Sequence, residues 1–377
     1  MPVIDDRLRL AVVIQTPKDP QSAVYIGYQS LASAFESLHH SVTIVAPSDF
    51  PAVARFNARW TPIVYPIAIA SWLSSRRDAF DLVVFHSYSG WLATALTRGR
   101  PRALVMFHGV EPLYHRELRA ETERIGGRLS LRYRVLQEVL MPLFLRIACR
   151  TAADVACLNR AEAEYLKSRR WVNSGAHVFA HGVPSEFFVS TRSFPAIQTL
   201  LFVGQWLPMK GIRYLKEAAT RLLSGDPSLR LVCAGTLTDE DRVRSEFPVE
   251  VRDRVRVLPR VDQVALAQLY RQADVFLFPS LYEGFSRAIV EAMASRLPIV
   301  CTQVGVAQDA LRHAHSALFV PKHDTDALVA AVSHLRSNPE VAQRLADAAA
   351  QAAADYTLAA VSQRTMNVIV AAARRGR

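Results

Sequence analysis

Cysteine is scarce, with four in 377 residues. Cys149, Cys157, Cys233 and Cys301 form no C-x-x-C pair, which argues against a disulfide framework and against a thiolate zinc site. Their apolar neighbours suit buried free thiols in a reducing compartment. No cluster of His, Cys and Asp has metal-ligand spacing, so no metal is expected. No run of about 18 apolar residues occurs, which argues against a membrane span. Val139 to Leu145, beside a basic region, is too short and contains Pro142. The opening residues Asp5, Asp6, Arg7 and Arg9 lack a secretory pattern, so a cytoplasmic location is expected. Neither half shows G-x-G-x-x-G after its first strand, which disfavours a dehydrogenase. RNA and DNA signatures are missing too, and no nucleic-acid partner is expected.

What is present is ordinary globular composition. Half of the residues are hydrophobic and 21% are charged, enough to build a sizeable core. At roughly 100–200 residues per domain the length suits two domains. The net charge of +11 divides almost evenly between the halves. An even basic surface favours anionic small molecules or an anionic membrane face.

Short β-branched runs alternate with helical patterns. The strands expected in the first half are Leu8–Gln15, Val42–Ala46, Asp81–His86, Ala103–Phe107, Asp154–Leu158 and His177–Ala180. Those in the second half are Thr199–Val203, Arg230–Ala234, Val255–Leu258, Asp274–Phe278 and Pro298–Cys301. They are apolar throughout, as parallel strands covered on both faces are. The fold class expected is α/β, with two doubly wound, Rossmann-like domains facing a cleft. The domains are placed at 1–187 and 188–356, around a turn-rich stretch near Ser185–Ile197. A last helix over Thr357–Arg375 is expected to return to the first domain, giving it 357–377 as well.

Two segments carry chemistry. The first runs from Leu200 through Gly204, Gln205, Lys210 and Gly211 to Ile212, a strand leading through a loop into a helix. A lysine at that helix start opposes the helix dipole unless an anion binds both. The alternative is an exposed surface lysine. The second follows the strand 274–278 and reads Pro279-Ser280-Leu281-Tyr282-Glu283-Gly284-Phe285-Ser286-Arg287, then Glu291-Ala292-Met293-Ala294 on a helix. Amides at such a helix start favour an anion, and two carboxylates there can hold sugar and ribose hydroxyls. Ser280 and Glu283 also fit an S-x-x-E capping box, and Glu291 also fits a solvated helix face.

Together these segments resemble the retaining GT-B glycosyltransferases of family GT4, the glycosyl transferases group 1. The family's G-R-x4-K-G turn is matched by Gly204-Gln205 with Lys210-Gly211, and its E-G-F-G-x4-E-A-M-A loop by Glu283-Gly284-Phe285 with Glu291-Ala292-Met293-Ala294. The resemblance is strong in the second half and thin in the first. It implies a hexosyltransferase-like enzyme using a nucleotide-diphosphate sugar as co-substrate, with no cofactor and no metal. In this resemblance Lys210 binds the donor diphosphate. Glu283 contacts the donor sugar, with backbone amides near Gly284, Phe285 and Ser286. Glu291 holds the ribose, and backbone near Val261 meets the nucleobase. His108, in Met106-Phe107-His108-Gly109, resembles the family's histidine near the reacting sugar, though a lone histidine after an apolar run also suits a packed role. Ala180-His181-Gly182-Val183-Pro184 resembles the family's interdomain turn, with His181 for Asn.

The chain departs from the family in several places. Gln205 replaces an arginine and brings no charge. Arg287 stands where an apolar residue is usual, and is a candidate to restore that charge or to read an acidic sugar. The double-glycine loop of the first domain is replaced by Gln21-Ser22-Ala23-Val24-Tyr25-Ile26-Gly27. The acceptor is open between a glycan, a lipid-linked compound and a small molecule. The other readings are a nucleotide-sugar-binding protein without transferase activity, and a GT-B epimerase or phosphorylase. The stretch His115–Arg150 interleaves Arg116, Arg119, Arg124, Arg128, Arg132, Arg134, Arg146 and Arg150 with Leu129, Leu131, Val135, Leu136, Val139 and Leu140. A basic amphipathic helix of this kind is a candidate for peripheral contact with the inner membrane face; a solvated helix with a core face is the plain alternative.

Overall fold

The structure, a computed structural model, describes residues 7–19, 23–56, 61–97, 99–172 and 176–374. Gln21 and Ser22 of the loop noted above lie outside the described residues, as does Arg375.

Two units make up the chain. The first takes the described residues up to Arg116, Gly127–Ala180 and Val361 onward; the second takes Glu117–Gly126 and His181–Ala360. The chain passes from one to the other at Ala180 and His181, ahead of the turn-rich stretch that marked residues 187 and 188. The hydrogen bonds explain the position. Phe179 N still donates to Cys157 O in the first sheet, whereas Val183 N donates to Tyr356 O within the second unit. Glu117–Gly126 belongs to the second unit because Tyr214 Oη donates to both oxygens of Glu121 and Lys322 pairs with Glu117.

The first unit has six strands: β1 (Arg9–Val13), β2 (Ser41–Val45), β3 (Leu82–His86), β4 (Arg102–Met106), β5 (Asp154–Cys157) and β6 (Ala176–Val178). Their order is β2-β1-β3-β4-β5-β6, all parallel. The second has β7 (Thr199–Val203), β8 (Arg230–Ala234), β9 (Val255–Leu258), β10 (Val275–Phe278), β11 (Ile299–Cys301) and β12 (Leu318–Phe319). Their order is β12-β11-β10-β7-β8-β9, again parallel. Each expected strand is present: Thr199–Val203, Arg230–Ala234 and Val255–Leu258 keep their expected bounds, and the others shift by at most two residues at an end. Only β12, two residues long, had no readable pattern.

The apolar runs become strands because both faces are covered. Leu200, Phe202, Leu231, Leu277 and Val300 meet Leu215, Leu222, Leu328 and Leu345 from flanking helices in one core. In the first unit Val13, Val83, Phe85, Val105 and Phe107 meet Ile69, Leu145 and Leu166. The helix Ile212–Gly225 buries Leu215, Ala218, Ala219, Leu222 and Leu223, the spacing of one helical stripe. Truncating Leu215, fully buried, would cost about 2–5 kcal/mol. Side-chain caps start several helices: Asn159 accepts from Glu162 N, Asp262 from Ala265 N and Asp324 from Ala327 N, each stabilising by about 1 kcal/mol. The terminal helix spans Leu358–Arg374 and counts with the first unit from Val361. The four cysteines are buried and free, and burial raises each thiol's pKa.

Candidate functional site

Counted in chain order, the second sheet reads 3-2-1-4-5-6, with its topological switch between β7 and β10. Ligands of open α/β sheets bind outside the carboxyl ends of the strands at such a switch. The two segments singled out in the sequence leave the sheet there: Gly204–Gly211 follows β7, and Pro279–Ser286 follows β10.

The two loops are locked together. Leu281 N donates to Met209 O at 2.8 Å, and Ser280 Oγ stands 3.0 Å from the same carbonyl. Gly211 sits at φ 70°, and a Cβ there would lie 1.9 Å from Pro279 O. Only glycine allows that approach and that backbone together. Behind the second loop, Gly305 at φ 55° lets Val306 N reach Phe285 O at 2.7 Å.

Lys210 and Glu283 are therefore brought into contact. Lys210 Nζ lies 2.7 Å from Glu283 Oε1, with side chains 25% and 10% exposed. Ser280 Oγ donates to the same carboxylate oxygen at 2.6 Å. Lys210 Nζ also stands 5.6 Å from the centre of the Phe278 ring. An ammonium has three donors, so Lys210 retains capacity toward an anion while Glu283 fixes its position. The capping-box alternative for Ser280 and Glu283 does not hold. Residues 281–286 form no helix, and the helix begins only at Arg287. Lys210 likewise ends a short 3-10 turn, Pro208–Lys210, and the helix starts past Gly211.

Ser286 precedes the second helix with φ 76°, a strained backbone for a non-glycine residue. Its Oγ is buried with no partner among the described residues, and it does not cap the helix Arg287–Ala294. The first-turn amides of that helix form a positively polarised end. Phe285 is buried, with its ring set edge-on to His181 at 5.2 Å. Burial pushes the His181 pKa down to about 4, helped by Arg287, which leaves a neutral imidazole.

Glu291 is not on a solvated face. It is 5% exposed and accepts from Tyr270 Oη at 3.1 Å. Arg287 Nη2 approaches its other oxygen at 3.7 Å. Burial raises the Glu291 pKa, against Arg287 and Tyr270, which lower it. The Arg287 guanidinium is thus directed at Glu291. Gln205 is exposed, and Val261, past β9, is half-buried. No bond joins either to the Lys210–Glu283 pair among the described residues. Tyr270 carries no motif in the sequence.

His108 lies in the first unit, just past β4. Tyr28 Oη and His108 Nε2 are 2.7 Å apart, and the His86 and His108 rings are 4.7 Å apart. Burial lowers the His86 pKa to about 4, so its imidazole is neutral, and raises that of Tyr28. Beside them Ser87 Oγ donates to Glu111, whose pKa burial pushes up to about 7 against that hydrogen bond. Tyr28, His86 and Glu111 carry no sequence motif. His86 ends a strand next to the switch between β1 and β3, a position that could have exposed it; Tyr28 and Glu111 lie in helices with no motif.

Residues 186–352 match the family described as glycosyl transferases group 1. The D-inositol 3-phosphate glycosyltransferase of Streptosporangium roseum is 32% identical over 183 residues, covering 46% of this chain and 42% of that protein. The chain thus spans less than half the length of that curated relative. The sucrose-phosphate synthase of Thermosynechococcus elongatus shares the fold, with a TM-score of 0.76, 19% identity, and coverage of 96% of this chain and 98% of that one. Anabaena HepE, solved in complex with UDP-glucose, has a TM-score of 0.69 at 15% identity, covering 97% of this chain and all of that one. The architecture is GT-B, and residues 186–352, less than half of the chain, are similar to the glycosyl transferases group 1 family.

Proposed function

We propose that this chain transfers a sugar from a nucleotide-diphosphate sugar to an acceptor hydroxyl, with retention of anomeric configuration. The observation that carries the reading is the contact of Lys210 with Glu283 where β7 and β10 end. Sugar transfer has an oxocarbenium-like transition state, and its costliest charge develops on the departing diphosphate. Lys210 and the first-turn amides of the helix Arg287–Ala294 would meet that charge in place, which is preorganised electrostatic stabilisation. Glu283 accepts from hydroxyls of the donor sugar, beside the amides of Gly284, Phe285 and Ser286. Glu291, held by Tyr270, accepts from the ribose, and backbone near Val261 takes the nucleobase. Gln205 offers a neutral amide at the diphosphate. His108 is assigned to the sugar being transferred, with Tyr28 fixing its ring.

No resident metal enters this chemistry, because the ammonium and the amides supply the positive charge; turnover that survives EDTA tests this. The bound UDP-glucose of Anabaena HepE supports a nucleotide-sugar donor. The name of the Streptosporangium relative supports a phosphorylated or polyol acceptor. Among the described residues no helix is long and apolar enough to cross a membrane. We place the reaction in the cytoplasm.

The test is a panel of UDP-, GDP-, ADP- and TDP-sugars. One donor class should raise the melting temperature with concentration, as mass action requires, and release nucleoside diphosphate when an acceptor is present. Stabilisation without release under any acceptor would favour a nucleotide-sugar-binding protein instead.

A further inference from the structure

We propose that the first unit docks on an anionic bilayer surface through the outer face of the helical run Leu131–Thr151. This goes beyond sugar transfer and does not depend on it.

The run is continuous: a helical turn over Leu131–Arg134, a π segment over Val135–Leu140, then a helix over Met141–Thr151. Its inner face is spent on the core, where Met141, Leu145, Ala148 and Cys149 are buried. Phe144 stacks on Trp91 at 4.6 Å. Leu143 lies two positions from both Met141 and Leu145, about 200° around the helix, so it points outward.

The outer face is apolar as well. Leu131 is 74% exposed, Val135 46%, Val139 59% and Leu143 48%. These residues recur every fourth position. In an ordinary helix each such step drifts by about 40°; the wider π turn, which closes at i+5, draws Val135 and Val139 back into line. Four large apolar side chains in a row on water are a contiguous patch rather than scattered exposure.

The chemistry of the rim selects the partner. Arg128 and Arg132 stand exposed at one end of the stripe, and Arg146 at the other. No ion pair is formed by these three among the described residues. The acid within the stripe, Glu138, is already paired with Arg134 at 3.4 Å. An apolar stripe between cations fits acyl chains below and anionic headgroups above, with arginine stems lying along the boundary. A polyanion alone would leave the four apolar side chains unused, and a second copy would set arginine against arginine.

Flotation of the full chain with vesicles decides the matter, using phosphatidylcholine with about one-third phosphatidylglycerol against phosphatidylcholine alone. The chain should float with the first and stay behind with the second. Replacing Leu131, Val135, Val139 and Leu143 together by Ser should lower partitioning at least about tenfold, well within what burying four apolar side chains supplies. Arg128→Gln, Arg132→Gln and Arg146→Gln together should lower it by about tenfold or more and flatten its salt dependence. All seven positions are exposed, so melting temperatures should stay at the parent value. Absence from the anionic vesicles, or flotation of the serine variant equal to the parent, overturns the proposal. So does sedimentation of the parent as a dimer that the serine variant returns to monomer.

Discussion

Where β7 and β10 end, an ammonium and a carboxylate meet at 2.7 Å, braced by Ser280 and pinned by Gly211. Where β3 and β4 end, two imidazoles and a phenol meet instead, with His86 neutral through burial. Both units are all-parallel six-stranded sheets, so sheet architecture does not explain the difference. The residues following the strands do. One loop pair sets an ammonium against a carboxylate, and the other sets hydrogen-bonding rings side by side. In the function proposed above, the anionic leaving group is assigned to the first kind and sugar hydroxyls to the second.

The strongest way to break this contrast is Lys210→Ala. It should lower kcat by roughly 10²–10³, the cost of removing a preorganised group that meets transition-state charge. An equal loss from His108→Ala, with Lys210→Ala harmless, would invert the assignment.

Next comes Gly211→Ala, which adds a Cβ 1.9 Å from Pro279 O on a left-handed backbone. It should cost about 2–3 kcal/mol of stability, and the donor-induced melting shift should fall with it. A parent-like donor response would show that the spacing of the two loops does not matter.

The pH dependence sharpens the comparison on the first unit's side. Burial lifts Glu111 to about 7. From its ordinary value of 4.5 up to about 7 the folded chain therefore holds a proton that the unfolded chain has released, and stability falls as pH rises. His86 acts oppositely. With its value lowered to about 4, the unfolded chain takes the proton between about 4 and 6.5, so stability falls as pH drops. Glu111→Gln should leave melting near the parent's at about pH 5 and raise it by about 2–4 °C at about pH 8. The same offset at both pH values would contradict the burial argument.

Arg287→Ala should have the smallest effect. Its guanidinium faces Glu291 at 3.7 Å and is 40% exposed, so donor affinity should change by no more than about threefold. A larger loss would mean that Arg287 replaces the charge absent at Gln205.

The sequence was most legible where pattern and chemistry coincide. Eleven apolar runs became strands because parallel strands are buried on both faces. Gly211 stood in a motif and proved to be the point where two loops touch. The Glu283 loop was legible as a site but not as a shape, because the choice between a capping box and a bend depends on where the helix begins. Tyr270 and Tyr28 were silent, since their roles come from distant chain crossing near Glu291 and His108. The stretch His115–Arg150 read as one basic amphipathic helix. The structure divides it at residues 125–130 and inserts a π segment, features that periodicity does not encode.

The most direct measurement is a crystal structure of the chain with the nucleoside diphosphate that raises its melting temperature most. The diphosphate should lie on Lys210 Nζ and the first-turn amides after Ser286, with ribose oxygens on Glu291. Density for the diphosphate away from Lys210, with Glu283 and Glu291 facing no part of the ligand, would contradict it.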